Sequence, residues 1–121
     1  MNTEFSVEEH NQGSAWVLTV TGELDLRTSP ELEERLDRVW KAGADLVILD
    51  LRQIEFMDST GLRVLLSAHQ RAQERGLRFA LVKGADQVER VLTLTGVRDL
   101  LTVVDDPAEL LAAGGSSSDS A

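Results

Sequence analysis

Phe56-Met57-Asp58-Ser59-Thr60-Gly61-Leu62 sits where the periodicity of the chain changes, and that change decides the fold. Upstream, Asp45-Leu46-Val47-Ile48-Leu49-Asp50-Leu51 is a near-continuous apolar run of strand length, rich in branched side chains. Downstream, Leu62, Leu65, Leu66, His69 and Ala72 recur at spacings of three and four, the pattern of an amphipathic helix. A buried strand therefore hands over to a helix around Asp58-Ser59. Asp, Ser and Thr accept hydrogen bonds from the free N–H groups of a helix's first turn. The same positive helix end is a favourable seat for a phosphate. Ser59 is thus expected to be a helix cap, or a cap that a kinase can convert into phosphoserine.

Toward the N-terminus, Trp16, Leu18 and Val20 alternate with Val17, Thr19 and Thr21, which marks a strand covered on one face. Phe5-Ser6-Val7 opens a shorter strand, and the polar loop Asn11-Gln12-Gly13-Ser14 joins the two as an antiparallel hairpin. Gly22-Glu23-Leu24-Asp25-Leu26-Arg27 reads as irregular. A helix then starts at Thr28-Ser29-Pro30-Glu31, with proline in the first turn and Glu31 placed to complete a capping box with Thr28. Leu32, Leu36, Val39 and Trp40 form its inward stripe, and Gly43 stops it.

Beyond the second helix, which ends at Gly76, Arg78-Phe79-Ala80-Leu81-Val82-Lys83 is another strand. Gly84-Ala85-Asp86 opens a third helix carrying Val88, Val91 and Leu92. Leu101-Thr102-Val103-Val104 is a short final strand, followed by a helix over Glu109 to Ala113. Residues 114–121 are rich in Gly and Ser and are expected to be a disordered tail, leaving residues 1–113 as one domain. Strands that alternate with helices require crossovers. The expected class is α/β, a mixed sheet with an antiparallel start and later parallel strands, and about four helices mainly on one face.

Composition narrows the functions. A net charge of −9 over 121 residues disfavours nucleic acid and anionic membranes, because phosphate binding needs clustered Lys and Arg. There is no cysteine, and His10 and His69 make no ligand spacing, so neither metal nor cofactor is expected. Met1-Asn2-Thr3-Glu4-Phe5 lacks the regions of a signal peptide, and no window reaches the ~18 apolar residues of a membrane span. A cytoplasmic location is expected.

Catalysis finds little support. His69 lies ten residues after Ser59 on the same predicted helix. That spacing corresponds to roughly 15 Å, beyond the reach of a nucleophile–base pair. The pattern G-x-S-x-G is absent because Met57 holds the first glycine position. The acidic pairs Glu8-Glu9 and Asp105-Asp106 have no apolar pocket to raise a pKa. The chain reads as a binding module rather than an enzyme. A phosphate on Ser59 would add about −1.5 to −2 charges beside Asp58. Its effect would fall on partner binding far more than on the fold, since facing like charges across an interface cost several kcal/mol.

Gly22-Glu23-Leu24-Asp25, Val47-Ile48-Leu49-Asp50-Leu51, Phe56-Met57-Asp58-Ser59-Thr60-Gly61-Leu62 and Leu94-Thr95-Gly96-Val97 together resemble the bacterial anti-sigma factor antagonists of the STAS domain family. The resemblance implies a STAS-type sheet and a partner switch. The unphosphorylated antagonist binds an anti-sigma factor that is itself a serine kinase, and so releases a sigma factor. Phosphorylation ends that binding, and a PP2C-type phosphatase restores it. Carried over, Ser59 is the phosphoacceptor, with Asp58 beside it and Gly61 letting the partner approach the backbone. Asp25 is a second contact or a turn-forming residue. Thr60 stands where many relatives have a second serine, which makes it the alternative acceptor. Arg63 replaces a commonly small residue, which implies an altered partner surface. The resemblance also admits a non-switching accessory or scaffold module, in a stress complex or beside a transporter. A monomer or weak dimer is expected.

Overall fold

Ser6–Gln12 (β1) and Ala15–Leu24 (β2) form the antiparallel hairpin, in register from Ser6 opposite Thr21 to Gln12 opposite Ala15. The computed structural model describes residues 4–111, so the expected tail and the end of the last expected helix lie outside the described residues. Next come α1 (Ser29–Lys41), β3 (Leu46–Asp50), β4 (Ile54–Met57) and α2 (Ser59–Arg75). After them follow β5 (Arg78–Val82), α3 (Asp86–Leu94), a 3-10 turn at Val97–Asp99 and β6 (Thr102–Val104). A final helical turn begins at residues 108–111. The sheet runs β1-β2-β3-β5-β6, every pairing after the hairpin is parallel, and β4 joins by pairing with the end of β2.

Alternation along β3 explains why all five of its residues are buried. Val47 and Leu49 face the main core with Leu18, Val20, Leu24 and Leu81. Above them lie the stripes of the three helices: Leu32, Leu36 and Val39, then Leu62, Leu65 and Ala68, then Val88 and Leu92. Leu46 and Ile48 face the other way, where with Val17 and Val82 they form a smaller cluster against Leu110 and Leu111. The helices therefore cover mainly one face, as the half-polar hairpin strands imply, and the last turn covers part of the second. Each such aliphatic side chain stabilises the fold by about 1.5–3 kcal/mol on burial.

The two long helices are clasped above the sheet. Arg71 of α2 pairs with Asp37 of α1 and lies 4.8 Å from the centroid of the Trp40 ring. Trp40 in turn packs on Phe79 of β5, with centroids 6.4 Å apart. The hydrogen bond and charge of Arg71 hold the Asp37 carboxyl below the usual carboxylate range.

Three local expectations are corrected. Gly22–Leu24 is not irregular but the end of β2, because β4 supplies a partner there. The strand β4 itself was not foreseen. It has only four residues, and a register shift between Gly22 and Glu23 breaks its alternation into an in-out-out-in burial pattern. Finally, Thr28 and Glu31 form no capping box. The Thr28 backbone is already helical and its side chain makes no cap bond. Its hydroxyl instead donates to the Glu23 carbonyl at 2.8 Å and accepts from the Asp25 N–H at 2.9 Å.

Candidate functional site

Pairing of β2 with β4 brings two distant sequence motifs to one rim. Leu24 is opposite Met57, so Asp25 and Asp58 leave adjacent parallel strands side by side. The Asp58 N–H donates to the Leu24 carbonyl at 3.3 Å, closing the last rung. The carboxyl ends of parallel strands are where open α/β sheets place their binding surfaces.

Asp58, in extended conformation (φ −106°, ψ −171°), is the N-cap of α2. Its Oδ1 accepts from the N–H groups of Thr60 at 2.9 Å and Gly61 at 3.1 Å, and its carbonyl accepts from the Leu62 N–H at 3.0 Å. The expectation that Ser59 caps the helix is therefore corrected by one residue. Ser59 occupies the first helical position, where its exposed hydroxyl has no partner among the described residues. Because Asp58 satisfies the helix end, a cap worth about 1 kcal/mol is secured without the serine.

The remaining expected site residues divide by role. Thr60 is half-buried behind Ser59, while Arg63 is exposed one turn along the same helix face. Gly61 is buried. A Cβ there would stand 2.8 Å from both the Leu24 carbonyl oxygen and Met57 Cγ. The close backbone approach that requires glycine is thus made inside the molecule, by the end of β2. Asp25 forms the turn: its Oδ1 accepts from the N–H groups of Arg27 at 3.0 Å and Thr28 at 3.2 Å. That bonding fixes the loop beside Ser59.

Two further side chains support the rim: Gln87, which no motif of the sequence contains, and Asp50, which lies within a quoted motif. The Gln87 side chain of α3 pairs with the free edge of β4, its Oε1 accepting from the Met57 N–H at 3.1 Å and its Nε2 donating to the Met57 carbonyl at 3.4 Å. Asp50, buried at the end of β3, accepts from Arg52 Nε and Nη2 at 3.0 and 2.8 Å and bends the chain into β4. The guanidinium is held above its ordinary pKa by that bonding and by the charge of Asp50. Leu26 and Phe56, both exposed, complete the rim. Phe56 lies within the motif quoted from the sequence, and Leu26 is an apolar residue in a loop that has no core to face.

A cavity of about 240 Å³ is lined by residues such as Leu46, His69, Phe79 and Leu110, and by none of the rim residues. Among the described residues there is no cluster of three or more His, Asp or Glu suited to a metal. Glu23, Asp25 and Asp58 give the rim a carboxylate excess over Arg27 and Arg63.

The STAS domain profile matches residues 6–110. The anti-sigma-B factor antagonist of Staphylococcus aureus is 30% identical over 98 residues, 81% of this chain and 91% of that protein. The anti-sigma-B factor antagonist of Listeria monocytogenes is 28% identical over 111 residues, 91% of this chain and 96% of that protein. Among solved structures, an anti-sigma factor antagonist from Mycobacterium paratuberculosis superposes with a TM-score of 0.82 at 24% identity, over 91% of this chain and 93% of that one. With its mixed sheet, its rim and a profile match over nearly all described residues, the chain belongs to the STAS domain family.

Proposed function

We propose that the chain is an anti-sigma factor antagonist that works by partner switching. In its unphosphorylated form the rim binds an anti-sigma factor with serine kinase activity, which releases a sigma factor. The kinase then transfers the γ-phosphoryl group of ATP to Ser59 Oγ, the hydroxyl proton leaves to a base on the partner, and ADP is released. The phosphoprotein dissociates, and a PP2C-type phosphatase hydrolyses the ester to regenerate the binding form. The chemistry belongs to the partners. Names borne by relatives support the role, and the acidic rim fits a basic protein partner.

One observation carries this reading. Ser59 is exposed and unpaired at the first position of α2, while the neighbouring Asp58 does the capping. Modification of the hydroxyl therefore leaves the helix end intact. It still sets a dianion beside the Asp58 carboxylate at the centre of the docking rim. Release follows from repulsion and desolvation at the interface rather than from unfolding. Among the described residues no helix is long and apolar enough to cross a membrane. We assign the site of action to the cytoplasm, where sigma factors act, with the chain as a monomer or weak dimer.

The test is the affinity of three forms for the purified kinase. Ser59→Ala should bind as tightly as the parent, and Ser59→Asp should bind at least tenfold more weakly, about 1.4 kcal/mol. Equal affinity of Ser59→Ala and Ser59→Asp would return Ser59 to an ordinary helix position. A non-switching accessory module would then be the better description.

A further inference from the structure

Four large apolar side chains stand exposed among the described residues: Leu26 at 72%, Phe56 at 42%, Leu94 at 78% and Leu100 at 61%. Two of the four belong to the rim around Ser59. Leu26 follows Asp25 in the loop after β2, and Phe56 precedes Met57 in β4. Leu24 and Met57 are direct ladder partners. Strand spacing of about 4.8 Å and a chain advance of at most about 3.5 Å per residue therefore place Leu26 and Phe56 within roughly 16 Å of each other. Phe56 is in register with Glu23 and faces away from the helical layer that buries Leu24 and Met57. Leu26 projects from a loop that the Asp25 carboxylate has already ordered. An apolar side chain displayed on a preordered turn loses little entropy when a partner covers it.

Building on the switch reading above, we infer that Leu26 and Phe56 are the apolar anchors of the Ser59 docking surface, and that the occupant is a protein offering apolar sockets rimmed by basic side chains. The charge is complementary: around the anchors Glu23, Asp25 and Asp58 outnumber Arg27 and Arg63, and the whole chain carries −9. Anchors of this kind explain the sensitivity of the surface to a single phosphate. A partner that seats Leu26 and Phe56 must expel water from the ends of β2 and β4, and Ser59 follows the last residue of β4 by two positions. An unmodified hydroxyl tolerates that drying, whereas a dianion opposes it. Leu94 and Leu100, at the end of α3 and just beyond the 3-10 turn, lie outside the rim and serve as controls more exposed than Phe56 and comparable to Leu26.

The experiment titrates the full chain into the purified anti-sigma factor kinase that phosphorylates Ser59, using Leu26→Ser, Phe56→Ser and Leu94→Ser. Leu26→Ser and Phe56→Ser should each weaken binding by about tenfold, the scale of an interface hot spot, and Leu94→Ser by less than about twofold. Thermal midpoints equal to the parent's establish that the variants fold. Leu26→Ser, in an exposed loop, keeps the test valid if Phe56→Ser loosens β4. Parent-like affinity of Leu26→Ser and Phe56→Ser, with the parent still bound and phosphorylated, overturns the anchors and leaves the switch standing. Equal weakening by Leu94→Ser also overturns them. A parent chain that dimerises tightly, and is made monomeric by Leu26→Ser, replaces the heterologous partner with a second copy. A parent that neither binds any candidate kinase nor is phosphorylated sinks both the anchors and the switch reading beneath them.

Discussion

At the start of α1 the order is Asp25-Leu26-Arg27-Thr28-Ser29, and at the start of α2 it is Asp58-Ser59-Thr60. Both place an aspartate ahead of hydroxyl side chains at a helix entrance, on the same rim. In α1 the chain must first turn, and the turn consumes the polar groups. Asp25 bonds the loop N–H groups, Thr28 ties back to Glu23, and Ser29 is left 2% exposed with its Oγ unpartnered. In α2 the strand runs straight into the helix. Asp58 caps it, and Ser59 is turned outward with nothing to hold. Residue type does not decide which serine is available to an enzyme. Nor does position, since each is the first residue of its helix; burial does, with Ser29 enclosed and Ser59 facing outward.

The contrast can be broken most strongly at Gly61, which lets α2 sit against the end of β2. Gly61→Ala forces a Cβ to 2.8 Å from the Leu24 carbonyl and should cost about 1–3 kcal/mol, read as a lowered denaturation midpoint. Parent-like stability would mean that the two helix entrances are not locked together. Next in size is the cap. Asp58→Ala should cost about 1 kcal/mol, while Ser59→Ala should stay within about 0.5 kcal/mol of the parent. The reverse order in chemical denaturation would make Ser59 the cap after all.

The clasp between the two helices separates them by pH. Asp37 on α1 has its pKa lowered by Arg71 on α2, so its contribution is complete above the ordinary carboxylate pKa of about 4. It is lost as pH falls through the lower folded-state value. The side chain is 46% exposed, which keeps the contribution under about 1 kcal/mol. Asp37→Asn should therefore lower stability at pH 7 and leave it unchanged near pH 2, as followed by urea titration at the two values. An equal loss at both would assign the effect to packing. The smallest expected change is at the silent serine. Ser29→Ala removes an unpartnered buried hydroxyl and should leave stability unchanged or raise it slightly. A clear loss would reveal a partner for Ser29.

Sequence alone conveyed the periodic parts. The uninterrupted apolar run of β3 and the stripe of α2 can be read because burial on both faces of a strand, or on one face of a helix, leaves a repeating pattern. The hairpin and the order of later strands and helices follow from the same patterns and from turn residues. Three features escaped for physical reasons. The short strand β4 has no clean alternation, because a register shift interrupts it. The cap falls on Asp58 and not on the expected Ser59, since both residue types accept the same N–H groups. Gln87 acts through a long-range pairing with Met57, thirty residues away, that no local pattern encodes. Asp25 and Ser59 were each singled out as candidates, but their adjacency depends on β2 meeting β4 and is visible only in three dimensions.

The most direct measurement is phosphosite mapping by mass spectrometry after incubation with the host's serine kinases and ATP, with Ser59→Ala in parallel. One phosphate on Ser59, none on Ser29 and none in Ser59→Ala is the result expected of a serine freed by its neighbouring cap. Phosphate on Thr60 in place of Ser59, or no phosphate from any kinase, would contradict it.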